Sequence, residues 1–162
     1  MLIFNRRVEP APVAGELRLT YEWRQKSRCR VRIAQGERAG TEVGLSLERG
    51  TVLRDGEYLA SAEGVVVRVT AAIEQLLNVT ADDARSLTRI AYHLGNRHVP
   101  VQVGSDAQGC WLRLQLDHVL ESMVTGLGGH TSVVSAPFDP EVGAYGHSGH
   151  APKIHDFLPE QS

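Results

Sequence analysis

Apolar side chains alternate with polar ones through the first part of the chain. Between residues 17 and 24, Leu, Leu, Tyr and Trp occupy every second position, and the same alternation recurs over 29–33 and 43–47. A period of two predicts strands with one face in a core. Asp55-Gly56 lies between short apolar runs and predicts a two-residue hairpin turn. With a further apolar run over 65–69, residues 1–70 are predicted to form a small all-β domain, either sandwich or barrel-like.

A different period begins after residue 70. The apolar run over 73–79 is compatible with a strand or a helix, and a strand is favoured because a helix start comes directly after it. Thr80 is then predicted to cap a helix, with Asp83 completing a capping box. Apolar residues at helical spacing continue to Leu94. Gly95-Asn96 is predicted to end the helix in the left-handed conformation.

The remaining pattern predicts two strands, a helix and a closing strand. The strands are expected at 99–103 and 110–114, and the last one at 131–136. The helix is expected between the strands at 110–114 and 131–136, and it has an apolar stripe that includes Leu116 and Val119. The order β-α-β-β-α-β predicts a ferredoxin-like domain over 71–137, and therefore an α+β chain. Residues 138–162 lack periodicity and are rich in Pro, Gly, His and Ser, which predicts a flexible tail.

The composition is that of an ordinary globular protein. Hydrophobic residues make up 42% and charged residues 22%, with a formal net charge of −2. This balance favours neither a nucleic-acid partner nor a membrane surface. The start of the chain lacks the pattern of a secretory signal, and no apolar run approaches the roughly 20 residues of a membrane span. We therefore expect a cytoplasmic protein in which Cys29 and Cys110 are reduced thiols.

The histidines are confined to the second half of the chain. None occurs before residue 93, and the seven are His93, His98, His118, His130, His147, His150 and His155. Imidazole suits nickel, copper and zinc, so this clustering favours metal binding. His147 and His150 are separated by Ser and Gly, which permits the chain to wrap around an ion.

Four of these histidines also have a simpler explanation. His93 and His98 would diverge by roughly 140° on one continuous helix, so they would not chelate a single ion. Judged alone, His98 is more readily a solvated turn residue. A cationic His93 suits the negative end of the helix dipole. The pair Asp117-His118 is explained without a metal if Asp117 caps the second helix. His130 fits an ordinary loop residue.

Motifs for catalysis are absent. The chain contains no HExxH, no P-loop and no GxSxG. Cys110 with His118 could be imagined as a nucleophile and its base, but a cysteine in an apolar strand usually belongs to the core. An enzyme is therefore not expected. The series Arg28, Arg30 and Arg32 is a solvated strand face more readily than a binding face.

Three segments in the second half nevertheless resemble one family. AYHLGNRHVP at 91–100 is similar to the signature of the urease accessory protein E family, as are DHVLE at 117–121 and PFDPEVGAYGH at 137–147. The similarity of residues 1–70 is looser. The resemblance implies a nickel metallochaperone with a peptide- or partner-binding first domain and a dimerising second domain. His98 of each copy would bind Ni(II) at the two-fold axis, where a residue faces its own copy.

The resemblance also implies further ligands and partners. His93 and His118 match positions that ligate in only some relatives, and Leu116 stands where such relatives carry a second histidine. His147, His150 and His155 would supplement the site from the tail. Competition by Zn(II) or Cu(II) stays open, because raw affinity does not decide selectivity. The implied partners are the urease accessory GTPase and the urease assembly complex. The alternative is a protein-interaction module whose histidines buffer metal incidentally.

Overall fold

The computed structural model describes residues 1–142, and within them the chain forms two β-sheets and three helices. In chain order the elements are β1 (Ile3–Val8), β2 (Gly15–Leu19), α1 (Tyr21–Arg24), β3 (Arg28–Arg32), β4 (Glu42–Ser46), β5 (Tyr58–Ser61), β6 (Val66–Ala71), β7 (Ile73–Ala81), α2 (Ala84–Asn96), β8 (Gln102–Asp106), β9 (Gly109–Gln115), α3 (His118–Gly126) and β10 (Gly129–Pro137). None of these helices is long and apolar enough to cross a bilayer.

The first sheet contains six strands in the order β2-β6-β5-β1-β4-β3. The pairs β1–β4 and β2–β6 are parallel, and the other three are antiparallel. A single bridge brings the two ends of the sheet together, because the Glu16 amide donates to the Gln35 carbonyl at 2.9 Å. Fully buried side chains such as Phe4, Leu17 and Leu59 fill the interior. The prediction of a β-rich first region is therefore confirmed, although β1 was not predicted.

The strand expected over residues 17–24 ends early. It stops at Leu19, and Tyr21–Arg24 form one helical turn that Thr20 caps, its hydroxyl accepting from the Trp23 amide at 3.5 Å. Trp23, expected on the apolar face, is 38% exposed, whereas Arg24, expected on the polar face, is completely buried. The change from a period of two to a helical turn alters which side chains face the core: Tyr21 stays buried, whereas Trp23 and Arg24 exchange their expected positions.

The turn at Asp55-Gly56 exists, but it does not join two strands. Residues 51–54 are not extended in a sheet, so the predicted hairpin is wrong. Gly56 has φ +84°, as such a turn requires, and its amide donates to the Val69 carbonyl at 2.9 Å. The Asp55 carboxylate accepts from the Ala71 amide at 2.8 Å. The turn therefore packs against β6, and the true hairpin joins β5 to β6.

The second sheet has the order β10-β7-β9-β8, with every pair antiparallel. Helices α2 and α3 pack against it over a core that includes Leu77, Ile90, Leu94 and Val124. The predicted order β-α-β-β-α-β is observed. Two members of the predicted apolar stripe on α3 do not reach this core: Leu116 is 50% and Val119 is 56% exposed.

A third apolar cluster joins the two sheets. Tyr21 from α1 packs against Leu76 of β7 and against Phe138, whose ring centroid lies 5.1 Å from that of Tyr21. Phe138 is completely buried, so the expectation that the flexible tail begins at residue 138 is wrong for this position. Phe138 is buried by packing against residues far away in the chain, and the local composition gives no sign of such packing. The rest of the predicted tail from 143 onward lies outside the described residues.

Candidate metal site at the His98 turn

Helix α2 presents its C-terminal end to solvent and its apolar stripe to the core. Asp83 caps the N-terminus, its carboxylate accepting from the Ser86 amide at 2.8 Å. These bonds to Ser86 hold the pKa of Asp83 below its ordinary value. The cap is Asp83 and not Thr80 as predicted, because Thr80 pairs with His130 as part of β7. Buried Ile90 and Leu94 then fix the rotation of the helix on the sheet.

The helix ends in two backbone hydrogen bonds that wrap around its last turn. The His98 amide donates to the Gly95 carbonyl at 3.0 Å, and the Val99 amide donates to the Leu94 carbonyl at 3.4 Å. This pair of bonds is the Schellman motif, which places its left-handed residue just beyond the cap. That residue is His98, with φ +56°, the one non-glycine residue with positive φ between residues 1 and 142. Gly95-Asn96, predicted to take this conformation, are still helical.

The left-handed conformation gives His98 an exposed position at the negative end of a helix. Val99 turns inward against the core of the second sheet, while His98 is exposed. The last carbonyls of a helix carry a partial negative charge, so a cation near them is favoured electrostatically. An imidazole here offers one nitrogen ligand to an ion that solvent and other proteins can reach.

The other described histidines lie in different surroundings. His93 is half-buried on the last turn of α2, with its ring edge-on to Tyr92 at 5.5 Å between centroids. His118 begins α3 and is exposed, and Asp117 beside it accepts from the first amides of that helix, as predicted. His130 is not in a loop: it belongs to β10 and pairs with the Asp82 carboxylate at 2.8 Å.

The structure does not gather these groups around one point. Among residues 1–142, no three His, Cys, Asp or Glu side chains are placed to hold one metal ion. His147, His150 and His155 lie outside the described residues. Cys110, expected in the core, is exposed, whereas Cys29 packs on the first core and burial raises the pKa of its thiol. Both thiols are free.

The polar residues that the sequence did not reveal lie where residues 138–140 contact α1 and the loop before β5. Buried Arg24 and partly exposed Arg54 both contact the Asp139 carboxylate, at 3.1 and 3.2 Å. The motif Pro137-Phe138-Asp139-Pro140 was the one available signal, because an acidic residue between two prolines stands in a chain with little freedom. The motif does not indicate that the partner of Asp139 is Arg24 on α1.

Two family models match the chain in succession: the N-terminal domain of UreE urease accessory protein over residues 4–72, and its C-terminal domain over 74–160. The chain belongs to the UreE urease accessory protein family. The urease accessory protein UreE of Pseudomonas fluorescens (strain Pf0-1) is 51% identical, over 97% of this chain and 98% of its own. That of Teredinibacter turnerae (strain ATCC 39867 / T7901) is 47% identical over 93% and 95%, and that of Ectopseudomonas mendocina (strain ymp) is 46% identical over 97% and 98%.

Membership confirms the resemblance drawn from the three sequence segments, and it extends the similarity to the first sheet. UreE proteins are accessory proteins and not enzymes, as predicted. Two of the three segments are now placed in the fold: 91–100 forms the end of α2 and its left-handed turn, and 117–121 forms the capped start of α3.

Proposed function

We propose that this UreE family member takes part in urease maturation by carrying Ni(II), bound between two copies of the chain, to the urease assembly complex. The observation that carries the proposal is His98: an exposed imidazole in the left-handed residue beyond a helix C-terminus. Its exposure suits a carrier, since a bound ion must be passed on through ligand exchange. The names of the relatives supply the connection to urease.

A single imidazole holds an ion weakly, so the proposed site is shared. In a two-fold dimer, a residue on the axis meets its own copy, and one histidine per chain becomes a pair. Exposed apolar side chains on and beside the helices support a homodimer through the second domain: Tyr92 is 66%, Leu116 is 50% and Val119 is 56% exposed. We propose residues 71–137 as the metal-binding and dimerisation domain and residues 1–70 as the partner-binding domain.

Other histidines supplement the pair in this proposal. His150, His155 and His147 are the candidates that follow residue 142, and their imidazoles suit Ni(II) as well as Zn(II) and Cu(II). His93 and His118 are weaker candidates, because each already has a local explanation in its helix. The proposed recipient is the urease accessory GTPase in the cytoplasm. Protons compete for imidazole, so the affinity for Ni(II) is expected to fall in acid.

Nickel titration of the full-length protein with a matched pair of variants tests the proposal. We expect His98→Ala to weaken Ni(II) binding at least about tenfold by isothermal titration calorimetry, since removal of one ligand from each copy leaves no pair. His130→Ala is the control: it removes another exposed imidazole, one already paired with Asp82, and should leave the affinity unchanged. Unchanged tight binding in His98→Ala would favour the alternative, an interaction module that buffers metal incidentally.

A further inference from the structure

A shallow groove lies on the outer face of the first sheet, where strands β1, β4 and β3 run side by side. Its volume is about 390 Å³, and its lining includes Ile3, Gly44, Arg28 and Arg30. Ile3 and Arg30 both pair with Gly44 in the register of the sheet, so these three residues form one row across the outer face. The groove therefore has an apolar wall on β1 and a basic wall on β3.

The centre of this row has no side chain, because residue 44 is glycine. The Gly44 amide donates to the Leu2 carbonyl at 2.8 Å, and its φ is not in the left-handed region. A β-carbon at this position would lie 3.4 Å from Ile3 Cγ1 and 3.6 Å from Met1 Cε, which are ordinary contact distances. Neither the backbone nor the neighbouring atoms require glycine here. Its missing side chain leaves room for a side chain of another molecule.

The basic wall belongs to a short stretch of strongly positive sequence. Residues 26–32 carry four basic side chains and no acidic one, in a chain whose formal net charge is −2. Arg28 and Arg30 are both exposed. The side chain of Arg30 is 73% exposed, and it pairs with the Glu42 carboxylate at the long distance of 3.8 Å. Such an exposed pair contributes little, so the guanidinium group stays available to a carboxylate of another molecule.

The basic surface is longer than the groove itself. Arg28 also borders a second depression of about 200 Å³, together with Ser27, Leu47 and Arg49. Because Arg28 is shared, the two depressions form one elongated surface. An extended chain sends its side chains alternately to opposite sides, and it suits an elongated surface with two unlike walls.

The lining favours an acidic protein segment over other anionic partners. Single-stranded nucleic acids are bound on aromatic side chains, and none of the described residues that line the two depressions is aromatic. Membrane surfaces are bound by apolar side chains that protrude into the lipid. Here Ile3 is 44% exposed and forms the wall of a concave surface instead.

We propose that this groove binds an extended acidic segment of a partner protein, whose carboxylates face Arg28 and Arg30 and whose apolar side chains face Ile3 above Gly44. The inference deepens the proposed role of residues 1–70 in partner binding and rests on it. His98 belongs to the end of α2 in the other domain, so nickel binding and partner docking use separate surfaces.

A synthetic peptide tests the charge of the groove in the full-length protein. The peptide has about ten residues in which glutamate and valine alternate, and fluorescence anisotropy measures its binding. We expect Arg28→Glu and Arg30→Glu each to weaken binding at least about fivefold, because an exposed attraction becomes a repulsion of similar size. Arg68→Glu is the matched control. It changes the charge equally on β6, three strands away from β4, and should weaken binding less than about twofold.

A second pair of variants tests the shape of the groove. Gly44→Val should fill the space between the two walls and weaken peptide binding at least about fivefold, whereas Gly44→Ala should weaken it less. Valine is favoured over glycine in strands, so urea unfolding should show Gly44→Val to be no less stable than the parent chain. Unchanged peptide binding in Arg30→Glu and Gly44→Val, or an equal loss in Arg68→Glu, would overturn the inference.

Other occupants of the groove give different results with the same protein. Tighter binding of anionic lipid vesicles or of a single-stranded oligonucleotide than of the peptide, lost in Arg30→Glu, would overturn the inference. A change in the sedimentation of Arg30→Glu without peptide would indicate a second copy of the chain, and would also overturn it. So would tighter peptide binding after Asp156→Asn and Glu160→Gln, because the chain's own end would then compete for the groove.

Nickel titration separates failure of this inference from failure of the proposed function. Arg30→Glu should leave the affinity for Ni(II) unchanged, and His98→Ala should leave the affinity for the peptide unchanged. Peptide binding that ignores the groove variants, with nickel still bound through His98, would overturn this inference alone. Peptide binding in the groove without any role of His98 in nickel binding would support the groove and remove the carrier proposal.

Discussion

At the end of α2, backbone hydrogen bonds hold the chain and an imidazole is left in solvent. At residues 138–140, side chains from another part of the fold hold the chain, and Phe138 is left with no exposed surface. A local turn can therefore present a ligand openly, whereas a fixed position relative to a second sheet requires buried partners. The carrier proposed above would depend on the first property, because its ion has to be reachable.

Among the variants that test this comparison, removal of the buried Arg24 guanidinium should change the stability most. Arg24→Met keeps a long apolar stem but deprives Asp139, Leu53 and Phe138 of a donor. We expect the free energy of unfolding in urea to fall by about 3 kcal/mol, since the loss of one member of a buried ion pair strands its partners. Arg30→Met, which removes an exposed strand arginine, is the control and should change it by less than about 0.5 kcal/mol. Equal stability of the two variants would contradict the buried role of Arg24.

Substitution of the exposed His98 should change the free energy of unfolding by less, and in the opposite direction. A left-handed conformation costs a non-glycine residue about 1 kcal/mol, and His98 has φ +56°. His98→Gly should therefore raise the free energy of unfolding by up to about 1 kcal/mol while it removes the proposed metal ligand. Asn96→Gly, at the last residue of the helix, should instead lower it by a few tenths of a kcal/mol, because glycine is only slightly worse than asparagine in a helix (about 0.3 kcal/mol). A loss of stability in His98→Gly would show that its imidazole makes contacts the left-handed turn does not explain.

The smallest expected effect concerns pH and the packing of Tyr21 beside Phe138. Burial raises the pKa of Tyr21, although the positive charges of Arg24 and Arg54 oppose the shift. A pKa raised in the folded state gives stability that is present below the unfolded value, near 10, and is lost as pH rises through the folded value. The unfolding free energy should therefore fall more steeply above about pH 10 in the parent chain than in Tyr21→Phe. Identical alkaline slopes would contradict burial of the hydroxyl.

The second sheet and its helices were predictable because their periodicity is strong and their ends carry local signals. The apolar spacing that leads to Ile90 and Leu94 predicted α2, and both residues are buried. The cap was misassigned because both Thr80 and Asp83 can accept from a helix amide, and local sequence alone did not decide between them. Pairing with β10 decided between them, since it extends β7 as far as Ala81.

The contacts around Asp139 could not be predicted, because they join residues far apart in the chain. Arg24 and Asp139 are separated by 115 positions, and nothing near either one indicates the other. Arg24 was also assigned to the solvated face, because a period of two was continued across residues 21–24, where the chain turns into a helix. At His98 the motif identified the residue, but local preference assigned the left-handed conformation to Gly95-Asn96.

The contacts that hold residues 138–141 have a consequence for how the chain can vary in length. Residues added or removed after Val142 leave the contacts of Phe138, Asp139 and Glu141 in place. One residue deleted between Pro137 and Glu141 would instead shift Phe138 out of its pocket, or move Asp139 away from both arginines. Insertions and deletions among homologues should accordingly be frequent beyond residue 142 and rare in the few positions before it.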